Sequence, residues 1–183
     1  MDIDSLLRVH QINDPVIIDT MVEQYRPLLY RIALSILNDP AEADDATQDS
    51  FVSAALHLDR YLIGTNFKAW LYSITVNVCR GYLRKRNTQK NIQTLLRTFH
   101  LVTYSVVDPE HSVLENELGS QLWAVVNRLD EKYRLVVILR IIHDLPISQI
   151  AYILDTNEKT IYSRLYTAFR KLRKWIKPPP DFY

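Results

Sequence analysis

Three glycines in 183 residues, Gly64, Gly81 and Gly119, constrain this chain more tightly than any other feature. Glycine supplies the left-handed and close-approach backbone on which tight turns, phosphate cradles and dinucleotide fingerprints depend. A chain with so little of it carries no Gly-rich phosphate loop and is expected to be helical. The apolar spacing agrees. Met21, Tyr25, Leu28, Ile32 and Ile36 recur at steps of four, three, four and four, which is one face of a helix. Pro27 lies inside that pattern and is expected to kink the helix or restart it. Asp39 as N-cap, Pro40 at the first helical position and Glu42 in a D-x-x-E box open a second helix, expected to reach about Leu58.

Residues 59–66 read as a loop around Gly64, with Thr65 or Asn66 capping a third helix from Phe67 to about Arg86. On it Phe67, Leu71, Ile74, Val78 and Tyr82 form the stripe expected to bury, and Ser73, Asn77, Arg80 and Arg84 a polar stripe facing out. Residues 87–112 lose the periodicity and read as a linker, with room for a short helix near Ile92–Phe99. Leu114, Leu118, Leu122, Val125 and Leu129 mark a fourth helix. Asp130 is expected to cap a fifth, with Tyr133, Val136, Val137 and Ile141 inside. The expected architecture is all-α: two small helical domains, 1–86 and 113–183, joined by a linker over 87–112.

Composition narrows the function. Hydrophobic residues at 48% and charged ones at 23% suit a folded chain rather than a disordered one. A lone cysteine, Cys79, allows no internal disulfide and no Cys-type zinc site, and the five histidines lack metal-ligand spacing. The longest apolar run, Leu135 to Ile142, is interrupted by Arg140 and too short to cross a bilayer. Together with the acidic Met-Asp-Ile-Asp start, this gives the expectation of a cytoplasmic chain without cofactor, metal, membrane insertion or small-molecule substrate. No His, Cys or carboxylate constellation reaches catalytic spacing, so an enzyme is not expected.

The net charge of +1 conceals a segregation. From Ile32 to Asp59 there is no Lys or Arg, whereas Asp39, Glu42, Asp44, Asp45, Asp49 and Asp59 are acidic. From Arg80 to Arg97 the sign reverses, with Arg80, Arg84, Lys85, Arg86, Lys90 and Arg97 and no acid among them. The C-terminal stretch is basic again. Two separate basic segments suit two contacts with a polyanion, and the acidic helix suits a different, cationic partner.

Two motifs carry the chemistry. Residues 146–165 read as a short helix (Ile147 to Leu154), a turn (Asp155 to Asn157) and a longer basic helix (Glu158 to about Ile176). Ala151 is small where two helices must cross, and Ile150, Leu154, Ile161 and Leu165 can share a core. In such a helix-turn-helix the second helix enters the major groove. Lys159, Thr160, Tyr162, Ser163 and Arg164 are then the candidate base readers, with Thr167 on the same helix and Arg170, Lys171 and Lys174 on phosphates. The second motif, Asn66 to Arg86, interleaves aromatic and basic groups in a way suited to opened or distorted DNA. Its candidates are Asn66, Lys68, Trp70, Ser73, Asn77, Arg80, Arg84, Lys85 and Arg86; Phe67 and Tyr82 read better as core aromatics.

The run of motifs Tyr25–Ala33, Ala43–Phe51, Phe67–Asn77, Leu129–Arg140, Ile150–Leu154 and Thr160–Leu165 resembles the extracytoplasmic-function sigma factors of bacterial RNA polymerase. The resemblance spans residues 16–176. It implies a region-two domain binding core RNA polymerase and the −10 element, and a region-four domain binding the −35 element of promoter DNA. By position, Asp44, Asp45, Gln48, Asp49 and Phe51 would bind the polymerase, and the loop from Leu62 to Asn66 would help capture a flipped −10 base. An anti-sigma factor is a further partner that the resemblance admits. The chain departs from the family at Val76, Gly81, Thr167 and Phe169, which implies an unusual promoter preference. Two other readings are a helix-turn-helix regulator that binds duplex operator without polymerase, and a helical adaptor. The regulator explains the C-terminal motif but not the acidic helix or the Trp70–Arg84 segment, and the adaptor predicts no salt-dependent DNA binding in either domain.

Overall fold

In the computed structural model the described residues are 3–9, 14–99 and 123–176. The chain divides into two compact units, Met1–His111 and Ser112–Tyr183. The described secondary structure is entirely helical. The first unit contains α1 (Ile3–Val9), α2 (Pro15–Leu37), α3 (Pro40–Leu56), a 3₁₀ turn (Leu58–Arg60) and α4 (Phe67–Phe99). The second contains a helical turn over 123–127, α5 (Glu131–Val137), α6 (Ile147–Ile153) and α7 (Glu158–Trp175).

In the first unit α2, α3 and α4 pack on one another, and α1 lies against α2. Ile17, Met21, Leu29, Ile32, Ile36, Leu37 and Leu71 are fully buried, each worth about 1.5–3 kcal/mol of transfer free energy. The small residues Ala43, Ala46 and Ala54 of α3 are also buried, so the helices approach closely. Buried hydroxyls do not go begging: Thr47, Ser50 and Thr75 donate to the carbonyls of Ala43, Ala46 and Leu71. Asp39 caps α3 as the sequence predicts, its carboxylate accepting from the Glu42 N–H at 2.9 Å. Asn66, rather than Thr65, caps α4 by accepting from the Ala69 N–H at 2.9 Å.

Pro27 does not end α2, which runs unbroken from Pro15 to Leu37. Pro27 and Glu23, whose carbonyl loses its donor, are both exposed, so water can supply the missing bond. Buried Leu29 and Ile32 hold the following turn in place. The helix stops at Asn38, which takes a left-handed φ of 53° and donates its N–H to the Leu34 carbonyl.

Two expectations for α4 are corrected. The helix continues beyond Arg86 to Phe99, because residues 82–99 contain neither Pro nor Gly and Thr88 satisfies its hydroxyl on the Arg84 carbonyl at 3.0 Å. Its buried stripe is also rotated from the predicted one. Tyr72, Thr75, Val76, Cys79 and Leu83 are buried, while Ile74, Val78 and Tyr82 are half-buried. A stripe drawn only through the larger apolar residues missed that a threonine and a cysteine fill the centre.

In the second unit α5 and α6 both pack against α7, centred on Leu135, Val136, Ile138, Leu139, Ile150, Ile161 and Ala168. α5 passes into a π-helical turn over Ile138–Ile142, which leaves Ile141 exposed where the sequence suggests an inner position. The added residue of a π turn rotates all that follows out of the α-helical register. Asp130 precedes α5, yet its side chain makes no capping bond. Its carboxylate instead accepts from Lys171 Nζ at 2.7 Å. Leu114, Leu118 and Leu122 of the predicted fourth helix lie outside the described residues.

Candidate functional site

The acidic surface is built on α3. Asp45, Gln48, Asp49, Val52 and Leu56 are exposed along one side, at helical spacing. Several of its acids are held by neighbouring helices. Arg26 of α2 donates to Asp44 at 3.0 Å, Gln48 donates to the other oxygen of Asp44 at 3.0 Å, and Tyr82 of α4 donates to Asp49 at 2.8 Å. Burial first, and then the bond to Asp49, push the Tyr82 phenol up to about 12, so it serves as a donor at neutral pH. Phe51, a candidate for this surface, is buried on the inner side of α3 and belongs to the core. Val52 and Leu56, 61% and 73% exposed, extend the surface with apolar area. The four-residue spacing from Gln48 to Val52 to Leu56 carried that signal in the sequence.

The second surface joins the loop before α4 to the polar stripe of α4. Leu62, Ile63, Thr65 and Asn66 are exposed, and Gly64 turns the loop with φ at +89°. The loop is anchored beneath by Tyr61, whose hydroxyl lies 2.8 Å from Asp4 Oδ1 of α1 and 2.9 Å from the Thr65 carbonyl. The Tyr61 ring stacks edge-on to Phe67 at 4.9 Å and tilts on Trp70 at 5.4 Å. Trp70 is therefore buried in an aromatic cluster with Phe67, while Tyr82 reaches outward to Asp49; the sequence reading of Trp70 as a base-stacking group is corrected.

Lys68, Asn77, Arg84 and Lys85 are exposed, and Ser73 and Arg80 are half-buried on the same side of α4. Arg80 Nη1 donates to Asn77 Oδ1 at 3.3 Å, which fixes the amide with its N–H₂ group turned away from that bond. Arg86 is engaged elsewhere. Its guanidinium donates to the Glu42 carboxylate and, at 3.3 and 3.4 Å, to the Leu37 carbonyl that ends α2. It ties three helices together. Cys79 is fully buried, and burial pushes its thiol up to about 12, far from the range of a reactive thiolate.

The third surface is the helix-turn-helix formed by α6 and α7. Asp155 turns the chain with φ at +48°, a conformation aspartate tolerates better than most residues, and the Thr156 N–H donates to the Ala151 carbonyl. Asn157 caps α7 by accepting from the Thr160 N–H at 2.8 Å. Ile150, Leu154, Ile161 and Leu165 form the expected shared core, and Ala151 is buried at the crossing. Lys159, Tyr162, Ser163, Tyr166, Phe169 and Arg170 are exposed along the outer side of α7, whereas Thr160, Arg164 and Thr167 are half-buried at its edge. Lys171 is paired with Asp130 and sits 4.8 Å above the Tyr133 ring, so it braces α7 against α5. Among the described residues no group of three His, Cys, Asp or Glu side chains could hold a metal ion, and no helix is long and apolar enough to cross a membrane.

Two helical units, the second a helix-turn-helix, are matched in turn by two family models that give the class, a protein of the sigma-70 type. The family model for Sigma-70 region 2 matches residues 21–89, and that for Sigma-70, region 4 matches residues 120–172. The chain is 29% identical over 163 residues to the ECF RNA polymerase sigma factor SigW of Bacillus subtilis (strain 168), covering 86% of this chain and 87% of that protein. It is 27% identical over 156 residues to SigM of the same organism, covering 85% and 93%. In fold it is similar to CnrH, solved in complex with the cytosolic domain of CnrY, with a TM-score of 0.65 at 22% identity over 95% of this chain and 97% of that one. It is also similar to the sigma factor RpoE of Bartonella quintana, solved with the anti-sigma factor NepR, with a TM-score of 0.62 at 23% identity over 85% and 94%. The chain belongs to the extracytoplasmic-function RNA polymerase sigma factors. The region 2 match also sets aside the simple operator-binding regulator, which needs no such domain.

Proposed function

We propose that the three surfaces divide the work of transcription initiation. In this reading the outer side of α3, with Asp44, Asp45, Gln48 and Asp49, grips core RNA polymerase. The loop Leu62–Asn66 and the α4 stripe of Lys68, Ser73, Asn77, Arg80, Arg84 and Lys85 take the −10 element. The outer side of α7, with Lys159, Thr160, Tyr162, Ser163, Arg164, Thr167 and Arg170, takes the −35 element. In the same reading the polymerase and −10 surfaces belong to one functional domain, which includes all of α4, and the −35 surface belongs to the other. The factor acts without catalysis of its own, in the cytoplasm, and opens the −10 region with energy from protein and DNA contacts. A protein inhibitor of the anti-sigma type is a reasonable partner, since a sigma factor of similar fold was solved with such a protein.

The observation that carries this reading is the separation of one acidic and two basic surfaces within the first unit's α3 and α4 and the second unit's α7. The test is run-off transcription with core polymerase and this chain on a genomic promoter library, followed by permanganate footprinting. Asn77→Ala with Arg84→Ala is expected to abolish opening at −10 while core binding persists. A −10 region that still opens with the double variant refutes the α4 assignment.

A further inference from the structure

The outer side of α7 is not uniform. At 100° per residue, Lys159, Ser163, Arg170 and Lys174 form its outermost ridge, opposite the buried Ile161, Leu165, Ala168 and Leu172. On one flank of that ridge lie Tyr162, Tyr166 and Phe169, which are 59%, 70% and 44% exposed. They follow the i, i+4, i+7 pattern of a single stripe. Three large aromatic side chains left in water beside a basic ridge, on a helix whose only acid is Glu158, need a partner that is anionic overall and apolar at defined points. A protein surface complementary to the ridge would be acidic. Major-groove DNA supplies both properties at once, phosphates at the rim and thymine C5-methyl groups on the floor.

We propose that the Tyr162–Tyr166–Phe169 stripe reads thymine methyl groups in the −35 element, so that this factor prefers a thymine-bearing strand on that side of the recognition helix. The inference rests on the assignment of α7 to the −35 element and adds the chemistry by which the element is chosen. Dimensions agree. From position 162 to 169 a helix rises roughly 10 Å, which is about three base-pair steps along B-DNA. The stripe therefore spans adjacent bases rather than one. The ridge residues can meanwhile reach phosphates and purine edges, so one helix combines backbone affinity with two kinds of base readout.

The test uses holoenzyme, formed from the full chain and core polymerase, on a promoter selected from a library randomised at −35. Thymines recovered there are replaced one at a time by deoxyuridine, which removes only the methyl group. Each contacted position is expected to lose about threefold to fourfold in affinity, the value of one buried methyl-sized group. Tyr166→Ser is expected to lose the thymine–uracil difference at the one position its ring contacts and to keep it at the others, whereas Tyr166→Phe keeps it throughout because the ring, not the hydroxyl, makes the contact. Thermal unfolding of both variants separates a lost contact from a lost fold. Equal binding of thymine and uracil templates by the unaltered factor overturns the proposal, as does selection of a −35 element without thymine. In either case, aromatic residues protected by a protein inhibitor would identify the stripe as a protein contact. Failure of holoenzyme to form would count against the functional reading itself, and run-off transcription measures that separately.

Discussion

Arg86 distinguishes two kinds of basic residue on α4, and its replacement by alanine gives a quantitative test. The side chain joins the end of α2 to the start of α3 through Leu37 O and Glu42, and both members of the ion pair are 32% exposed. A fully exposed pair is worth about 0–1 kcal/mol, and a hydrogen bond to a charged group about 1.5–3 kcal/mol. With a third of each side chain in water, the pair and the carbonyl contact together should contribute about 1.5–2 kcal/mol. Arg86→Ala should therefore lower the midpoint of the first unit by roughly 5–15 °C, given its size. Arg84, exposed on the same helix, should cost less than about 0.5 kcal/mol when replaced. The assay is thermal and urea unfolding of the full chain followed by hydrogen exchange on α2–α4 amides, with a double-mutant cycle against Glu42→Ala. A coupling of about 1 kcal/mol is expected. If Arg86→Ala leaves exchange protection unchanged and abolishes promoter opening, the tie described for Arg86 is wrong and the residue is a DNA contact.

Other outcomes are as definite. Tyr61→Phe keeps the ring packed on Phe67 and Trp70 but removes the hydroxyl between Asp4 and Thr65; it should cost about 1 kcal/mol and slow −10 opening at unchanged core affinity, measured by stopped-flow fluorescence of a labelled promoter. A Cβ built on Gly81 meets nothing within 4 Å, so Gly81→Ala should raise stability by about 0.5–1 kcal/mol in the same urea titration; a loss would mean the site is tighter than described. The hydrogen bond from Lys171, and then its charge, hold the Asp130 carboxyl below the usual carboxylate range. Its ion pair thus stabilises the second unit fully above the unfolded pKa and fades as pH falls through the lowered folded value. Thermal midpoints measured below about pH 4 should show a smaller pH dependence in Asp130→Asn than in the unaltered chain.

Most of the fold was legible because it rests on local signals. The Asp39 cap, the turn over Asp155 to Asn157 and the shared core of Ile150, Leu154, Ile161 and Leu165 all depend on near neighbours in sequence. What was not legible depends on partners far along the chain. Nothing near Trp70 reveals that Tyr61 and Phe67 enclose it, and nothing near Arg86 reveals Glu42, 44 residues earlier. Lys171 reads as a phosphate contact until Asp130 is found against it. The family resemblance puts Phe51 among the polymerase-binding residues, although its own periodicity with Thr47 and Ala54 puts it inside. The rotated stripe of α4 has the same origin, since Thr75 and Cys79 look indifferent until the neighbouring helices cover them.

The lattice of side chains across α3 has one more effect. Asp44 is held from both sides by Arg26 and Gln48, and Asp49 is held by Tyr82, so these exposed groups already occupy set rotamers before any visitor arrives. Immobilising a loose side chain on docking costs about 0.5–1.5 kcal/mol. On the proposed reading of α3 as the polymerase-binding face, rotamers fixed in advance forgo much of that entropic penalty, and a weakly charged molecule would thereby offer its large partner a stiff, ready-made template.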